Sequence, residues 1–394
     1  MSSGISPSQV GAYVAVGLTI FLSSTFFKWI SKGTLGDEPR KKKIYGLHHA
    51  ILNINVPPKT MWMNMGYWER DSDLPKACSR LLKEVLKAAD LIDEDGYRTG
   101  RWPIKLVDLG FGCGDQTIEI AKNYPTLASS YIGLTIDPKQ YNFARQRLSS
   151  LQLPQDPSLT TDTPSNHPDQ EEQAKLDKYS NHQTDLLQQR LENHAKEVNG
   201  AEKSINLFCA DAAQPAKWTN ELKEAITPNL AKQLRENSQK PSLSILRKQE
   251  TWILGLDTLY HFSPSRQPIF NHVYQKLQAS IMAFDLIFGD GTTLVERTCM
   301  RIIALIMGCP MGNFVTAIEY REQLLMAGYE EDKIEINDIS ECVFKGLADY
   351  LKKRDEELQV YLGRGLGAYK VFGWVLRWWS RSGIVRGCII VAKI

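Results

Sequence analysis

The stretch IKLVDLGFGCGDQTIEIAKNY, residues 104–124, decides the fold class. Its apolar start, residues 104–107, predicts a short buried strand, and Asp108 stands near the end of that strand. Three glycines follow at alternate positions, Gly110, Gly112 and Gly114, before a helix predicted to begin near Gln116. Glycine is needed where a backbone turns sharply or approaches a ligand closely. A strand, a glycine turn and a helix in this order predict an α/β sheet with a ligand beyond the carboxyl ends of its strands.

The glycine spacing differs from that of a dinucleotide-binding turn. A GxGxxG turn places a pyrophosphate on the helix N-terminus, whereas here the third glycine comes one position early and Asp115 occupies its place. Asp108 suits a ligand with a cationic group better than a pyrophosphate. S-adenosylmethionine carries an ammonium and a sulfonium and no phosphate, so the pattern favours this cofactor over NAD. The alternative is a glycine-rich turn that binds no ligand.

Further strands are predicted downstream of this turn. The apolar segments TWILGLD (251–257), SIMAFDLIF (280–288) and GCIIVAKI (387–394) read as buried strands. Strands that alternate with helical segments indicate a mostly parallel α/β sheet. We therefore predict one α/β domain over residues 101–394. A polar insertion at about 150–204, nearly free of aromatic residues, interrupts it.

The N-terminal segment predicts a membrane anchor. The 18 residues VGAYVAVGLTIFLSSTFF, 10–27, contain no charge, and this length is close to the minimum that spans a bilayer. Basic residues follow it, Lys28, Lys32 and the run RKKK at 40–43. The positive-inside rule then places residues 1–9 outside and the rest in the cytoplasm. We predict a single-pass anchor at 10–30, a linker with entry and cap helices at 31–100, and the endoplasmic reticulum as the default membrane. A buried core helix or an interfacial helix is the alternative.

Charge and cysteine content give no support for a nucleic-acid partner, a disulfide framework or a metal site. The formal net charge of +2 gives no signal for a nucleic-acid partner. The seven cysteines are odd in number and no two have CxxC spacing. The sequence therefore predicts neither a disulfide framework nor a metal site.

Several motifs resemble those of the class I S-adenosylmethionine-dependent methyltransferases. YIGLTIDPKQYNFARQRL (131–148) is similar to the second strand and helix of the branch that holds cyclopropane-fatty-acid synthases and sterol, tocopherol and alkaloid N-methyltransferases. Thr135 and Gln140 match that branch, while Asp137 replaces its usual hydroxyl. FCADAAQ (208–214) resembles the third-strand motif, in which Asp211 would hold the adenine amine.

The resemblance covers roughly residues 60–394. It implies a seven-stranded, Rossmann-like sheet with helices on both faces and a reversed last strand. MNMGYW (63–68) resembles the entry motif whose aromatic pair lies over the methionine end of the cofactor, and aromatic faces attract a sulfonium cation. Two ordinary core aromatics are the alternative. The residues expected to bind S-adenosylmethionine are Tyr67, Trp68, Asp108, Gly110, Gly112, Gly114, Thr135, Gln140, Asp211 and Asp257.

The acceptor side is expected in TWILGLDTLYHFSPSR (251–266), the fourth strand and its exit loop. In the related N-methyltransferases Asp257 matches a glutamate and His261 a histidine, whereas Tyr260 replaces a second glutamate. Because its ordinary pKa is near neutrality, His261 is the candidate general base. Tyr260 is the second candidate catalytic residue. Structural roles for both side chains are the alternative.

The tail after Glu357 contains no acidic residue. Within it four side chains share one helical face, Tyr369, Phe372, Leu376 and Trp379. This face predicts either contact with a bilayer interface or packing inside the protein. Both alternatives stay open from sequence alone.

These features predict an enzyme that methylates a lipophilic small molecule reached from the membrane. A lipid, sterol, prenyl lipid or hydrophobic natural product is the expected substrate class, with N- or O-methylation favoured. The alternative is a membrane-tethered binding or scaffold protein that keeps the fold and has no activity. A protein or nucleic-acid methyltransferase lacks support, because the chain has no NPPY-type motif.

Overall fold

The computed structural model describes residues 58–100, 102–151, 204–227, 249–306 and 309–394. The predicted anchor at 10–30 and nearly all of the polar insertion lie outside these ranges. Within the described ranges, no helix is long and apolar enough to cross a membrane. The chain divides into two compact units. The sheet unit comprises Thr60–Gly66, Pro75–Ser340 and Ile384–Ile394, and the helical unit includes Tyr67–Leu74 and Glu341–Gly383.

A seven-stranded sheet forms the centre of the sheet unit. Its strands are β1 (Ile104–Leu109), β2 (Ala128–Thr135), β3 (Ser204–Cys209), β4 (Thr251–Leu256), β5 (Ser280–Phe288), β6 (Ile334–Asp338) and β7 (Val385–Ala392). Their order is β3-β2-β1-β4-β5-β7-β6. β7 runs antiparallel to β5 and β6, while β1 to β5 pair in parallel. The predicted mostly parallel sheet with a reversed last strand is confirmed.

Helices connect these strands. They are α1 (Leu74–Ala88), α2 (Asp115–Asn123), α3 (Pro138–Ser150), α4 (Asn220–Ile226), α5 (Gln267–His272), α6 (Leu294–Ile306) and α7 (Ala317–Ala327). Two more follow β6, α8 (Ser340–Leu362) and α9 (Ala368–Ser382). Capping explains several of the starts: Asp137 accepts a bond from the Lys139 amide at α3, and Thr316 forms a capping box with Glu319 at α7.

The core lies along the middle strands of the sheet. All nine residues of β5 are buried, which explains its nearly continuous apolar sequence, because a central strand covered on both faces has no solvent side. The strand order reverses between β1 and β4. At such a switch point the connections leave a crevice outside the carboxyl ends of the strands. The glycine turn follows β1 at that crevice.

The helical unit settles one alternative left open by the sequence. Leu376 and Trp379 of α9 are buried, and the Trp379 ring packs edge-on against Phe344 of α8 with 5.5 Å between ring centroids. This part of the face therefore packs inside the protein. Tyr369, at the start of the same helix, is 64% exposed.

Candidate active site

The glycine turn after β1 has the backbone that its sequence requires. Gly110, Gly112 and Gly114 all have positive φ, at 143°, 59° and 88°. A Cβ on Gly110 would lie 2.9 Å from Thr258 Oγ1, and one on Gly114 would lie 3.0 Å from Ala144 Cβ. A Cβ on Gly112 would instead meet only the Met63 sulfur, at 3.7 Å. The outer two glycines thus allow close packing, whereas a Cβ on the middle one would make only an ordinary contact with Met63.

A cavity of about 350 Å³ lies at this turn. Its walls come from the carboxyl ends of β1, β2, β3 and β4 and from residues 61–64. This volume falls within the range of small-molecule sites. The structure brings together eight of the residues that the sequence proposed for the site: Gly110, Gly112, Thr135, Gln140, Asp211, Asp257, Tyr260 and His261.

A larger hollow, of about 1200 Å³, lies elsewhere in the sheet unit. It is bounded by residues 213–227 and 263–277 and contains none of the proposed site residues. Its rim at Thr227 adjoins residues 228–248, outside the described ranges. The smaller cavity, where the candidate chemical groups converge, is therefore the better candidate site.

Asp108 lies beneath the glycine turn rather than in the cavity wall. Its side chain is completely buried, and its Oδ2 accepts hydrogen bonds from the Tyr131 hydroxyl and the Gln116 amide. Among the described residues its Oδ1 has no hydrogen-bond partner. Burial raises the pKa of Asp108 to about 6, while the bonds from Tyr131 and Gln116 act to lower it. A buried carboxylate with one unsatisfied oxygen is suited to a cationic partner.

The opposite end of the cavity carries uncharged and acidic hydrogen-bonding groups. Thr135 Oγ1 lies 3.0 Å from Gln140 Oε1, and Gln140 Nε2 lies 3.5 Å from the Met63 sulfur. Asp211 accepts bonds from the Ala213 amide at 2.9 Å and from Gln214 Nε2 at 2.7 Å. Asp211 therefore holds its own loop in addition to lining the cavity.

Asp257 follows β4 and has an unusual conformation. Its φ of 61° lies in the left-handed region, which non-glycine residues rarely adopt and which is concentrated at functional sites. Oδ2 accepts a bond from the Met65 amide at 2.8 Å, while the buried Oδ1 has no hydrogen-bond partner in the part of the chain that the structure describes. Burial raises the pKa of Asp257 to about 7, against the lowering effect of the Tyr260 hydroxyl and the Met65 amide.

This pKa gives a testable prediction for Asp257→Asn. A carboxyl whose pKa is higher in the folded than in the unfolded protein stabilises the fold at low pH, and that stability is lost as pH rises through the folded value. The penalty for burying Asp257 is therefore absent below the unfolded pKa of 3.8, grows as pH rises from there to about 7, and is complete at pH 8. We expect Asp257→Asn to raise the free energy of unfolding at both pH values, and by about 2–3 kcal/mol more at pH 8 than at pH 5.

Urea denaturation at the two pH values measures this difference. Asp95→Asn, which changes an exposed carboxyl, is the control and should have no effect at either pH. An Asp257→Asn variant that is less stable at pH 8, or equally shifted at both pH values, would contradict the prediction.

Tyr260 and His261 lie on the acceptor side, in the short turn Leu259–His261. Their rings are in contact, with 4.2 Å between centroids. His261 Nδ1 lies 3.4 Å from the sulfur of Cys309. The protein atoms that pack around the ring lower the pKa of His261, so the imidazole is neutral at physiological pH and can accept a proton. Burial raises the pKa of Tyr260 well above its ordinary value, so its phenol stays protonated.

Comparisons with known proteins give structural similarity only. No protein-family model matches the sequence, and no curated protein matches it. Among solved structures, the chain is similar to a cyclopropane synthase from Mycobacterium tuberculosis, with 14% identity over 84% of this chain and 90% of that one and a TM-score of 0.48. It is also similar to a mycolic acid cyclopropane synthase complexed with SAH and CTAB, with 12% identity over 88% of this chain and 95% of that one and a TM-score of 0.49. A third similar structure is a geranyl diphosphate methyltransferase in complex with SAM, with 10% identity over 84% of this chain and 97% of that one and a TM-score of 0.43.

The sheet itself identifies the architecture. Its seven strands have the order β3-β2-β1-β4-β5-β7-β6, with β7 reversed and a glycine turn after β1. The fold is that of the class I methyltransferases.

Within this methyltransferase fold, two proposed cofactor residues lie in the helical unit. Tyr67 and Trp68 belong to that unit, whereas the cavity lining comes entirely from the sheet unit. Trp68 is buried against Tyr350, with 5.2 Å between ring centroids, and a Cβ on Gly346 would lie 2.0 Å from the Trp68 Cβ. Trp68 is thus a core residue of its unit, and contact of either residue with the cofactor stays a prediction.

The sequence did not predict an ion pair that connects the elements of the cavity wall. Asp115 forms a two-point ion pair with Arg147 of α3, at 2.7 and 2.9 Å. The same carboxylate accepts the Met61 amide at 3.1 Å. Asp115 therefore joins α2, α3 and the segment that carries Met63. The aspartate after the third glycine was visible in the sequence, but nothing local pointed to an arginine 32 positions away.

Proposed function

We propose that the protein is an S-adenosylmethionine-dependent methyltransferase that acts on a lipophilic small molecule. The observation that carries the proposal is the cavity at the switch point of the sheet, which Gly112 lines and in which one buried oxygen of Asp257 has no hydrogen-bond partner among the described residues. Preformed cavities with a few convergent polar groups are the usual form of cofactor sites.

The residues present fit S-adenosylmethionine. Its cationic groups would meet the carboxyl of Asp257 in the cavity wall, while the negative charge of Asp108, beneath the glycine turn, would favour the same cations without direct contact. Thr135, Gln140 and Asp211 at the far end of the cavity would hold the ribose and adenine by hydrogen bonds. When bound, the cofactor supplies the electrophilic methyl group.

For methyl transfer the protein has to align the acceptor with the methyl group and to remove one proton from the acceptor. An acceptor N–H or O–H held beside Tyr260 and His261 would face the methyl group, and such alignment can remove several kcal/mol of barrier. The bond from carbon to the acceptor forms as the carbon–sulfur bond breaks. Neutral His261 takes the proton that the acceptor loses. Because the hydrogen of the Tyr260 phenol is directed to Asp257, the phenol oxygen can accept a hydrogen bond from the acceptor N–H or O–H.

Two features support a lipophilic acceptor. Trp62, Phe262 and Leu256 contribute apolar surface to the cavity beside His261. The uncharged run at 10–27, followed by basic residues, is suited to an anchor in a membrane, where apolar substrates accumulate. We include in the proposal a single-pass anchor at 10–30 with the catalytic part in the cytoplasm, at the endoplasmic reticulum.

Transfer of a labelled methyl group tests the proposal. The full chain, purified in detergent, is incubated with methyl-tritiated S-adenosylmethionine and a total lipid extract. We expect label in the organic phase, reduced at least about 100-fold in His261→Ala because general bases contribute about 10²–10⁴-fold. His272→Ala, which changes a histidine of the larger hollow, is the matched control and should retain activity.

The outcomes separate the alternatives. Cofactor binding without label in any acceptor fraction would favour the inactive, membrane-tethered binding protein. Label confined to added protein or nucleic acid would contradict the small-molecule assignment.

A further inference from the structure

The segment that follows α6 holds the loop that carries His261. Asn313, at the end of this segment, is completely buried. Its Nδ2 donates to two carbonyl oxygens, those of Tyr260 at 3.1 Å and Phe262 at 2.7 Å. These are the carbonyls on either side of His261. Its Oδ1 accepts the Arg266 amide at 3.0 Å. One side chain thus satisfies three backbone groups of a loop that has little regular structure of its own.

Asn313 and the loop that it holds are in turn connected to β5 of the sheet. The buried guanidinium of Arg266 forms an ion pair with Asp285 of β5 and donates to the Asn313 carbonyl. The Tyr320 hydroxyl donates to Asp285 at 3.0 Å, and the Tyr320 ring lies 4.5 Å from the guanidinium carbon. The backbone of Tyr260 also bonds to Asp285. The His261 loop is therefore fixed relative to β5 through charges that have no access to water.

A second contact reaches the His261 ring itself. The sulfur of Cys309, four residues before Asn313, lies 3.4 Å from Nδ1. Cys309 is buried, and burial together with the nearby Asp257 raises the pKa of its thiol to about 11. The thiol is thus neutral at physiological pH. A partner on one ring nitrogen of a histidine fixes both the ring orientation and the tautomer. With Nδ1–H donating to the Cys309 sulfur, Nε2 keeps the lone pair that can accept a proton.

We infer that Asn313 and Cys309 are positioning residues for His261, Asn313 through the loop backbone and Cys309 through the ring. The inference rests on the proposed function, in which His261 accepts the proton. Neither residue was proposed from sequence for such a role. Both would set the angle and the tautomer in which His261 meets the acceptor.

The inference is tested on the ring of His261, without an acceptor. The full chain is prepared with ¹⁵N- and ¹³C-labelled histidine, and the His261 signal is assigned by its loss in His261→Asn. We record the pH titration and the two ring nitrogen shifts in Cys309→Ala, Cys309→Ser and Asn313→Ala. Cys388→Ala, which removes another buried thiol, on β7, is the control. The titratable groups in contact with the ring are Tyr260 and Cys309, and those that interact with these two are Asp257 and Asp285; all four are intact in the Asn313 variant.

In Cys309→Ala we expect the nitrogen shifts to move toward those of a tautomer mixture, with Cys309→Ser close to the wild type. In Asn313→Ala we expect the pKa to rise toward the ordinary 6.5, because a loosened loop exposes the ring. Cys388→Ala should leave the signal unchanged. If Asn313→Ala does not fold, Cys309→Ala decides alone.

An unchanged His261 signal in folded Cys309→Ala overturns the role of Cys309, and an unchanged signal in folded Asn313→Ala overturns that of Asn313. A wild type that fails to bind S-adenosylmethionine would overturn the proposed function instead. The histidine titration remains readable in that case, so the two failures are distinguishable.

Discussion

Replacing Arg266 with alanine is expected to lower the free energy of unfolding by about 3–5 kcal/mol. The guanidinium is completely buried and pairs with Asp285, which is equally buried. Removing one member of such a pair leaves the other charge without compensation in a medium of low polarizability. The variant also loses the contact with the Tyr320 ring and the bond to the Asn313 carbonyl.

The loss should depend on pH in a defined direction. Burial already raises the pKa of Asp285, although Arg266 acts to lower it. Without Arg266 the carboxyl takes a proton more readily, so the destabilisation should be smaller at pH 5 than at pH 8.

Urea denaturation of the wild type and two variants measures this effect. Arg386→Ala is the matched control, because Arg386 pairs with Asp338 at 3.3 Å with both side chains more than 40% exposed. Exposed pairs contribute about 0–1 kcal/mol. Equal losses in Arg266→Ala and Arg386→Ala would contradict the importance of the buried network.

The second large effect concerns the cofactor. We expect Gly112→Val to weaken the binding of S-adenosylmethionine by about 100-fold or more, which corresponds to about 2.8 kcal/mol. Gly112 lines the cavity, and the nearest atom to an added Cβ is the Met63 sulfur at 3.7 Å. The valine side chain would therefore occupy space that the cofactor needs. Its positive φ adds strain of about 1–2 kcal/mol to the fold.

Gly291→Val separates lost space from backbone strain. Gly291 also has a positive φ, 75°, and nothing lies within 4 Å of an added Cβ. It does not line the cavity. We expect Gly291→Val to bind the cofactor as the wild type does. Similar affinities for Gly112→Val and the wild type would place the cofactor elsewhere.

The parts of the site that sequence could predict are those encoded locally. The glycine spacing requires a particular backbone, and Gly110, Gly112 and Gly114 have it. Parallel strands bring their carboxyl ends to one edge, which explains why Thr135, Asp211 and Asp257 meet in one cavity although 122 positions separate the first from the last.

The parts that sequence could not predict depend on distant partners. Asn313 is visible as a residue of a family-like segment, but its bonds to Tyr260 and Phe262 join positions about 50 apart. The local sequence around Trp68 is the same whether its ring covers a cofactor or packs against Gly346. Gly346 lies 278 positions away along the chain, so the local motif cannot indicate this contact.

The C-terminal helix shows the same limit. The spacing of Tyr369, Phe372, Leu376 and Trp379 describes an apolar face and does not say what covers it. The Phe344 ring against Trp379 settles the matter for the buried part. Only the tertiary structure contains that information.

Calorimetric titration of the folded, detergent-purified wild type with S-adenosylmethionine tests the central claim most directly. We predict saturable binding of one cofactor per chain, lost in Gly112→Val and kept in Gly291→Val. Absence of binding by a wild type with a cooperative unfolding transition would contradict the methyltransferase assignment. A binding protein without a methyl donor would then be the better account of the fold.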